Sequence, residues 1–400
     1  MNLYYNGVDI YGDVSVNYCV HEMFAEKQAD TLVIRFNDTK GTWSKWQPAE
    51  GDTVQFKEGA SDTGKMFVHS MKPENGLFTI RAMSMPKSGK TKKSKSWEGV
   101  RFLQLANEFA GNHGLTFQNY GCTDQVYPYI KQDNETDFAL FHRLCTLEGC
   151  QMLIFDGKLL AYNEQYIEGQ TPAGSLSVDE NGVFSYEDNR GGMYGSCEIA
   201  SGSYSGKFIA NSSNSSVLRP AVPIQVTSNA EAARFAKGLL RNANKFARSG
   251  YFSKSLMTGY AAASILTLST PRATMWDGTV FVYKVRHDFV GNKSTIYFRH
   301  VLEGYYWETS IKARSPAYQE TRPALYRLTP GLSQPQRSRS RGTSADPPET
   351  SQKAQRWFMW SLTTPPGCCW AGRTVNGGAT CRASRPVIST YRRATSQLAA

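Results

Sequence analysis

The sequence predicts a mainly β protein with an α+β insertion and a disordered C-terminal tail. Short β-branched and aromatic runs alternate with turn residues at the start of the chain and again from about residue 175. Apolar residues at helical spacing lie between and after these runs. We divide the chain into a first β-barrel (1–95), a small α/β insertion (96–170), a second β-barrel region with one long helix (171–305) and a basic tail (306–400).

The first region is predicted to form a small closed or nearly closed barrel. Alternating apolar runs occupy 31–36, 66–71 and 77–83. The last two flank a turn segment that ends in Asn75-Gly76, and Asn-Gly between such runs favours a tight hairpin. Closing the strands into a barrel would leave few exposed edges.

Two tryptophans, Trp43 and Trp46, lie in a polar segment of this region. We interpret them as a lid on the first barrel, and an anchor at a protein interface is the alternative.

A lysine-rich segment follows at 86–96, with five lysines and no apolar side chain except the proline ring. We expect an exposed loop. It is our candidate for a contact with phosphate or with an acidic protein partner, and a solvated loop without function is the alternative. The candidate contact residues are Lys87, Lys90, Lys92, Lys93, Lys95 and Trp97.

The insertion is predicted to contain two helices and a hairpin. Ser96 is expected to cap the first helix, which ends at Gly111, and Asn134 is expected to begin the second. Asp156-Gly157 between two apolar runs predicts the hairpin at 151–162.

The region 171–305 is predicted to return to strands around one long helix. Ser228 and Glu231 form a capping box before the helix at 229–246, whose apolar stripe we expect to pack on the second barrel. Strands are expected at 264–268, 279–285 and 294–302.

No sequence pattern points to catalysis, a cofactor or a metal. Residues 88–91 (SGKT) imitate the end of a phosphate-binding loop, but Ser84 stands where that motif requires glycine. His287 and His300 fall in predicted strands, where a structural role is expected. No cysteine pair has C-x-x-C spacing, and neither a signal peptide nor a membrane span is predicted, so the expected compartment is the reducing cytosol.

The positive charge of the chain belongs to its tail. The formal net charge is +11, and residues 311–400, with 14 basic and 3 acidic residues, carry all of it. Twelve of the 14 are arginine, and the segment holds 9 of the 17 prolines. Such a composition predicts disorder. Two origins are open: a frameshift near 306–315, or a tail that evolved as a disordered segment. A nucleic-acid-binding role for this tail is one alternative function.

Three stretches in the same order resemble the late control protein D family, the baseplate hubs of contractile phage tails, which are related to the hub part of VgrG secretion spikes. They are 30–37 (DTLVIRFN), 129–144 (YIKQDNETDFALFHRL) and 280–289 (VFVYKVRHDF). The resemblance covers about 1–305. It implies a homotrimer whose chains each supply two tube-like β-barrels, and this ring would join a sixfold tail tube to a threefold spike.

We therefore expect a non-enzymatic hub of a contractile tail or tail-like particle, carried by a prophage and located in the virion tail, with assembly in the bacterial cytoplasm. Its expected partners are the tube and spike proteins, with phage DNA passing through the lumen as an option and no membrane insertion. The alternatives are a truncated VgrG-like spike hub and a tail-associated cell-wall hydrolase. Two carboxylates in a cleft would be required for the hydrolase.

Overall fold

A computed structural model describes residues 1–305 with the exception of 180, 223, 272 and 273. The predicted tail from 306 onward lies outside the described residues. The fold class is mainly β with an α+β insertion, as predicted. No helix in the described part of the chain is both long and apolar enough to cross a bilayer.

The first half of the described chain contains these elements in order. The strands are β1 (Asn2–Tyr5), β2 (Val8–Asp9), β3 (Ser15–Phe24), β4 (Thr31–Asn37), β5 (Thr53–Glu58), β6 (Ser61–Asp62), β7 (Met66–Glu74), β8 (Leu77–Met83), β9 (Lys92–Arg101), β10 (Thr116–Tyr120), β11 (Val126–Thr136), β12 (Cys150–Phe155) and β13 (Lys158–Asn163). The helices are α1 (Thr42–Trp46), α2 (Phe102–Asn112), α3 (Asp137–Leu147) and α4 (Glu164–Glu168).

The second half contains one further long helix, α5 (Asn229–Asn244). Its strands are β14 (Gly174–Ser177), β15 (Val183–Asp188), β16 (Ser196–Ser201), β17 (Tyr204–Ile209), β18 (Val217–Leu218), β19 (Arg248–Ser255), β20 (Ile265–Ser269), β21 (Gly278–Asp288) and β22 (Lys293–His300). The three strands predicted at the end of this region are thus confirmed as β20, β21 and β22.

One large sheet runs through both β regions. Its strand order is β15-β19-β22-β21-β3-β4-β8-β7-β5-β1-β2, with β6, β14 and β20 attached beside this path. The first half of β21 pairs with β20 and its second half pairs with β3. The β3–β21 pair therefore joins a strand from the start of the chain to one near the end of the described residues, and no sequence pattern predicted this junction.

Each β half surrounds its own hydrophobic core. In the first half, alternate residues of β4 (Leu32, Ile34 and Phe36) point inward, as period-2 patterning requires. The second core is built on β20, β21 and β22, and the β12–β13 hairpin adds Leu153 and Leu160 to it. The domain boundaries that we assigned from sequence remain a prediction.

The long helix α5 is capped as predicted and packs on a small sheet of the second β region. The Ser228 hydroxyl accepts a hydrogen bond from the Glu231 amide at 3.1 Å, the geometry of an N-cap. The apolar stripe packs on β16 and β17, which lie within the predicted second β region but form a small sheet separate from the large one. Phe235 and Leu240 share a third core there with α2 and α3, which the sequence did not predict. Periodicity identifies the buried face of a helix but not the element that covers it.

The lysine-rich segment is not the loop that we predicted. Residues 87–90 form a 3-10 turn, and the lysines that follow belong to β9, which pairs with β11 as a two-stranded ribbon. Ser96 lies in that strand, and the first helix begins at Phe102. The strand forms through a long-range partner, because its own side chains are mostly exposed and show no apolar alternation.

The second helix also begins later than predicted. Asn134 lies in β11 with a left-handed backbone (φ 49°), at a shift in the ribbon register, and its amide donates to the Ser94 hydroxyl. The N-cap is Thr136, whose hydroxyl accepts from the Ala139 amide at 3.1 Å. Asn134 therefore marks a β-bulge two residues before the cap.

Candidate functional site

The predicted contact residues lie on the β9–β11 ribbon and the turn before it, and most of their charges are compensated within the chain. Lys87 binds Glu50, Lys93 Nζ lies 3.0 Å from an Asp137 oxygen, and Lys95 Nζ lies 2.5 Å from Glu108. The Trp97 indole N–H donates to the same Glu108 at 2.9 Å. Lys90 and Lys92 are exposed. The segment is thus a charge-balanced ribbon rather than a uniform cationic patch.

Asp137 is the buried anion that fixes one end of this ribbon to α3. Its side chain is 1% exposed and accepts from Gln132 and Asn112, both at 2.9 Å, as well as from Lys93. Burial by itself would raise the pKa of this carboxyl, but the hydrogen bonds from Gln132, Asn112 and Lys93 hold it below its ordinary value. Lys93 therefore helps to hold this end of the ribbon against α3.

The ribbon leaves backbone available for another chain. Among the described residues, β9 and β11 pair only with each other, so the outer edge of each strand has no strand neighbour. Pro128 has no backbone N–H, so it interrupts the row of backbone donors along β11. The backbone groups along these outer edges therefore have no strand partner among the described residues.

The two tryptophans of the first β half have different roles. Trp43 on α1 is 2% exposed and stacks on Phe78 with ring centroids 5.5 Å apart, which confirms the predicted lid on this core. Trp46 is 46% exposed, and its ring packs edge-to-face with that of Trp43, with centroids 5.2 Å apart. The cavity beside them, of about 400 Å³, is lined by both tryptophans and by Tyr5 and Asp52.

A buried charge cluster, which sequence reasoning missed, joins four parts of the chain. Its members are the acids Glu26, Glu164 and Glu168 and the bases Arg241, Lys245 and Arg299. Arg299 Nη1 lies 2.6 Å from Glu168, and Arg241 Nε donates to Glu164 at 2.9 Å. Lys245 binds Glu26 and lies 2.8 Å from Glu164. We call these six residues the buried charge cluster.

The three bases of the cluster hold Glu164 ionised. Burial would raise the pKa of Glu164, but Lys245, Arg299 and Arg241 lower it to about 2. The partners come from the turn after β3, from α4, from α5 and from β22, so their attraction fixes α5 to both halves of the large sheet. The sequence feature that could have indicated this cluster is the pair of bases Arg241 and Lys245. They lie four residues apart, next to the apolar stripe of the helix.

The described residues hold no side-chain group typical of a metal centre. No group of three or more His, Cys, Asp or Glu side chains is placed to hold a metal ion in the described ranges. His287 is buried, with Nδ1 2.7 Å from the Ser294 hydroxyl and Nε2 3.3 Å from the Tyr260 carbonyl, which confirms its structural role. The five cysteines in this part of the chain are free and buried.

The fold of the described residues is similar to that of solved tail proteins. No family model matches the sequence, and no curated protein sequence matches it. The chain is similar to the 43 kDa tail protein of prophage MuSo2 from Shewanella oneidensis, with a TM-score of 0.58 and 12% identity over 74% of this chain and 97% of that chain. It is equally similar to a tail protein from Neisseria meningitidis MC58, with a TM-score of 0.58 and 9% identity over 75% and 95% of the two chains.

A third similar structure is the E. coli c3393 protein, a component of the type VI secretion system, with a TM-score of 0.49 and 11% identity over 77% of this chain and 79% of that chain. The described chain has the fold of the two tail proteins along nearly their whole length. This fold confirms the one that the three sequence stretches implied.

Proposed function

We propose that this protein is a structural hub of the baseplate of a contractile phage tail or tail-like particle, and that it forms a trimeric adaptor between the tail tube and the central spike. The observation that carries the proposal is the fold, which matches two tail proteins over 97% and 95% of their lengths. The paired β halves, each with its own core, support the same proposal.

The mechanism is symmetry matching. Three copies, each with two β halves, would present six similar β units around one axis, which suits a sixfold tube on one side and a threefold spike on the other. Such a ring needs large obligate interfaces, which bury about 2,000 Å² or more. The β9–β11 ribbon and the two ends of the large sheet, β2 and β15, offer unpaired strand edges for them.

In this proposal the protein acts without catalysis. Its place is the virion tail, its assembly takes place in the bacterial cytoplasm, and the lumen of the ring is the passage for DNA where the particle carries it. The exposed residues Lys90 and Lys92 with the ribbon edges serve as a contact surface for a neighbouring subunit.

Electron cryomicroscopy of particles purified from the host tests this proposal. We expect density for three copies of the chain at the joint between tube and spike, with the two β halves alternating around the axis. Particles that contain the chain outside this joint, or in another copy number, would contradict the proposed role.

A further inference from the structure

The cavity beside α1 has an aromatic wall and one charged side chain. Its volume of about 400 Å³ lies within the roughly 300–1,000 Å³ of small-molecule sites. The lining includes three aromatic residues, Tyr5, Trp43 and Trp46, and a single charged residue, Asp52. The other lining residues are neutral, so the cavity combines ring surface with one negative charge.

The three rings hold one another in place. Trp43 is buried, and its ring contacts that of Tyr5 with centroids 5.6 Å apart and that of Trp46 with centroids 5.2 Å apart. Helix α1 ends at Gln47, which has a left-handed backbone (φ 51°) and whose amide donates to the Trp43 carbonyl at 3.1 Å. The core thus anchors Trp43, and Trp46, which is 46% exposed, is the ring that a ligand can reach.

Asp52 is a carboxylate without a cation. It accepts from the Tyr5 hydroxyl at 2.6 Å, from the Asn6 side-chain amide at 3.0 Å and from the Ala49 backbone N–H at 2.7 Å. All three donors are neutral, and Asp52 forms no ion pair with any described residue. Burial would raise the pKa of this carboxyl, but the three hydrogen bonds hold it below its ordinary value. A carboxylate has about four acceptor positions, so one remains for a ligand.

The chain fills a site of the same composition elsewhere with a cation of its own. On the β9–β11 ribbon, Lys95 Nζ lies 4.7 Å from the centroid of the Trp97 ring and 2.5 Å from a Glu108 oxygen. An indole ring and a carboxylate together attract a cation, because the ring face is negative and tryptophan binds cations best. At Trp46 the described residues supply the ring and the carboxylate but not the cation.

A guanidinium group fits this arrangement better than other ligands. Its flat face stacks on an indole ring, while one N–H donates to the free acceptor position of Asp52. A primary ammonium is a compact, strongly hydrated charge and gains less from the rings. A neutral sugar or peptide group would leave the charge of Asp52 unbalanced.

We propose that this cavity binds an arginine side chain of another protein, whose guanidinium group stacks on Trp46 and donates a hydrogen bond to Asp52. The partner is defined by charge complementarity with the cavity. The site is argued from its own side chains and does not depend on the proposed hub function.

Fluorine NMR of the full chain, labelled with 5-fluorotryptophan, tests the proposal. The Trp46 signal is assigned by its loss in Trp46→Phe. The probe is N-acetyl-arginine methylamide, and the control compound is N-acetyl-citrulline methylamide, which has nearly the same shape without the charge. We expect the arginine compound to shift the Trp46 signal in a saturable way at millimolar concentrations, and the citrulline compound to bind at least several-fold more weakly. The absence of a saturable shift, or equal shifts by the two compounds, would overturn the proposal.

Variants give an independent measurement, read from the ligand signals by saturation-transfer difference NMR. Asp52→Asn should weaken binding of the arginine compound at least several-fold. Glu50→Gln removes the same charge from a nearby residue that pairs with Lys87 outside the cavity, and it should retain binding.

Trp46→Leu is the second variant, because Asp52→Asn also alters hydrogen bonds that hold the loop. It leaves those hydrogen bonds in place and should weaken binding as well. Undiminished binding in Asp52→Asn and Trp46→Leu, or an equal loss in Glu50→Gln, would contradict the proposed site. Either result leaves the hub proposal unaffected, since this cavity plays no part in the argument for it.

Discussion

His21 of β3 lies directly opposite His287 of β21 in the strand pair that joins the two halves of the large sheet. Both side chains are fully buried, and neither ring nitrogen of His21 has a hydrogen-bond partner among the described residues. Burial lowers the pKa of His21 to about 3, with a further contribution from His287, and burial lowers the pKa of His287 to about 4. The junction therefore depends on two neutral imidazoles.

The first prediction is that mild acid weakens this junction. Because the folded pKa values lie below the ordinary value of 6.5, the unfolded state binds more protons between about pH 6.5 and pH 4, and stability falls as the pH falls. Each imidazole contributes a slope of about 1.4 kcal/mol per pH unit. Urea unfolding of wild type and His21→Leu across this range measures it, and we expect a shallower slope in the variant. Identical slopes would show that His21 titrates normally in the folded protein.

The second prediction concerns the face of α5. Phe235 is 3% exposed and belongs to the core shared with α3 and the β16–β17–β18 sheet. Phe235→Ala should lower the free energy of unfolding by about 3–5 kcal/mol, because it removes buried surface and leaves a cavity. The control is Tyr204→Ala in β17, where the ring is 42% exposed and truncation should cost far less. Equal losses in denaturant melts would mean that the packing of α5 is wrong.

The third prediction concerns the buried charge cluster. Glu164→Gln removes one charge from a site whose partners are buried, and it should cost about 3–5 kcal/mol of stability. The matched control is Asp133→Asn, which breaks the exposed pair with Lys131 and should cost about 0–1 kcal/mol. Chemical denaturation at pH 7 measures both. A loss at Glu164 as small as that at Asp133 would argue against a buried, ionised Glu164.

The fourth prediction separates the two tryptophans. Trp43→Ala should destabilise the first β half by about 3–5 kcal/mol, because the ring is buried against Phe36 and Phe78. Trp46→Ala should change stability by less than about 1 kcal/mol, since nearly half of this side chain is exposed. Thermal melts of the two variants, followed by circular dichroism, make the comparison. Similar Tm values for both would contradict the lid role of Trp43.

Sequence reasoning succeeded where the information is local. The Asn75-Gly76 and Asp156-Gly157 turns produced the expected hairpins, and Ser228 caps α5, because a turn or a cap is decided by residues a few positions apart. It failed at β9, where exposed lysines form a strand only because β11, some 30 residues later, pairs with them. It also placed the start of the second helix at Asn134, because the side chains suited to capping occur at bulges as well.

The buried charge cluster could not be predicted from the sequence alone. Arg299 and Glu164 are 135 residues apart, and neither has a local motif that indicates burial. The contact role of the lysine-rich segment stays a prediction, but its charge is smaller than the sequence indicates, because Asp137 and Glu108 pair with two of its five lysines. Composition counts charges but does not show their partners.

Native mass spectrometry of the full chain, mixed with the tube and spike proteins of its own particle, tests the hub account most directly. The account predicts complexes that contain three copies of this chain, and negative-stain averages of the same sample should show threefold rings. A sample that contains free monomer and no complex larger than 1:1 with the tube or spike protein would contradict it.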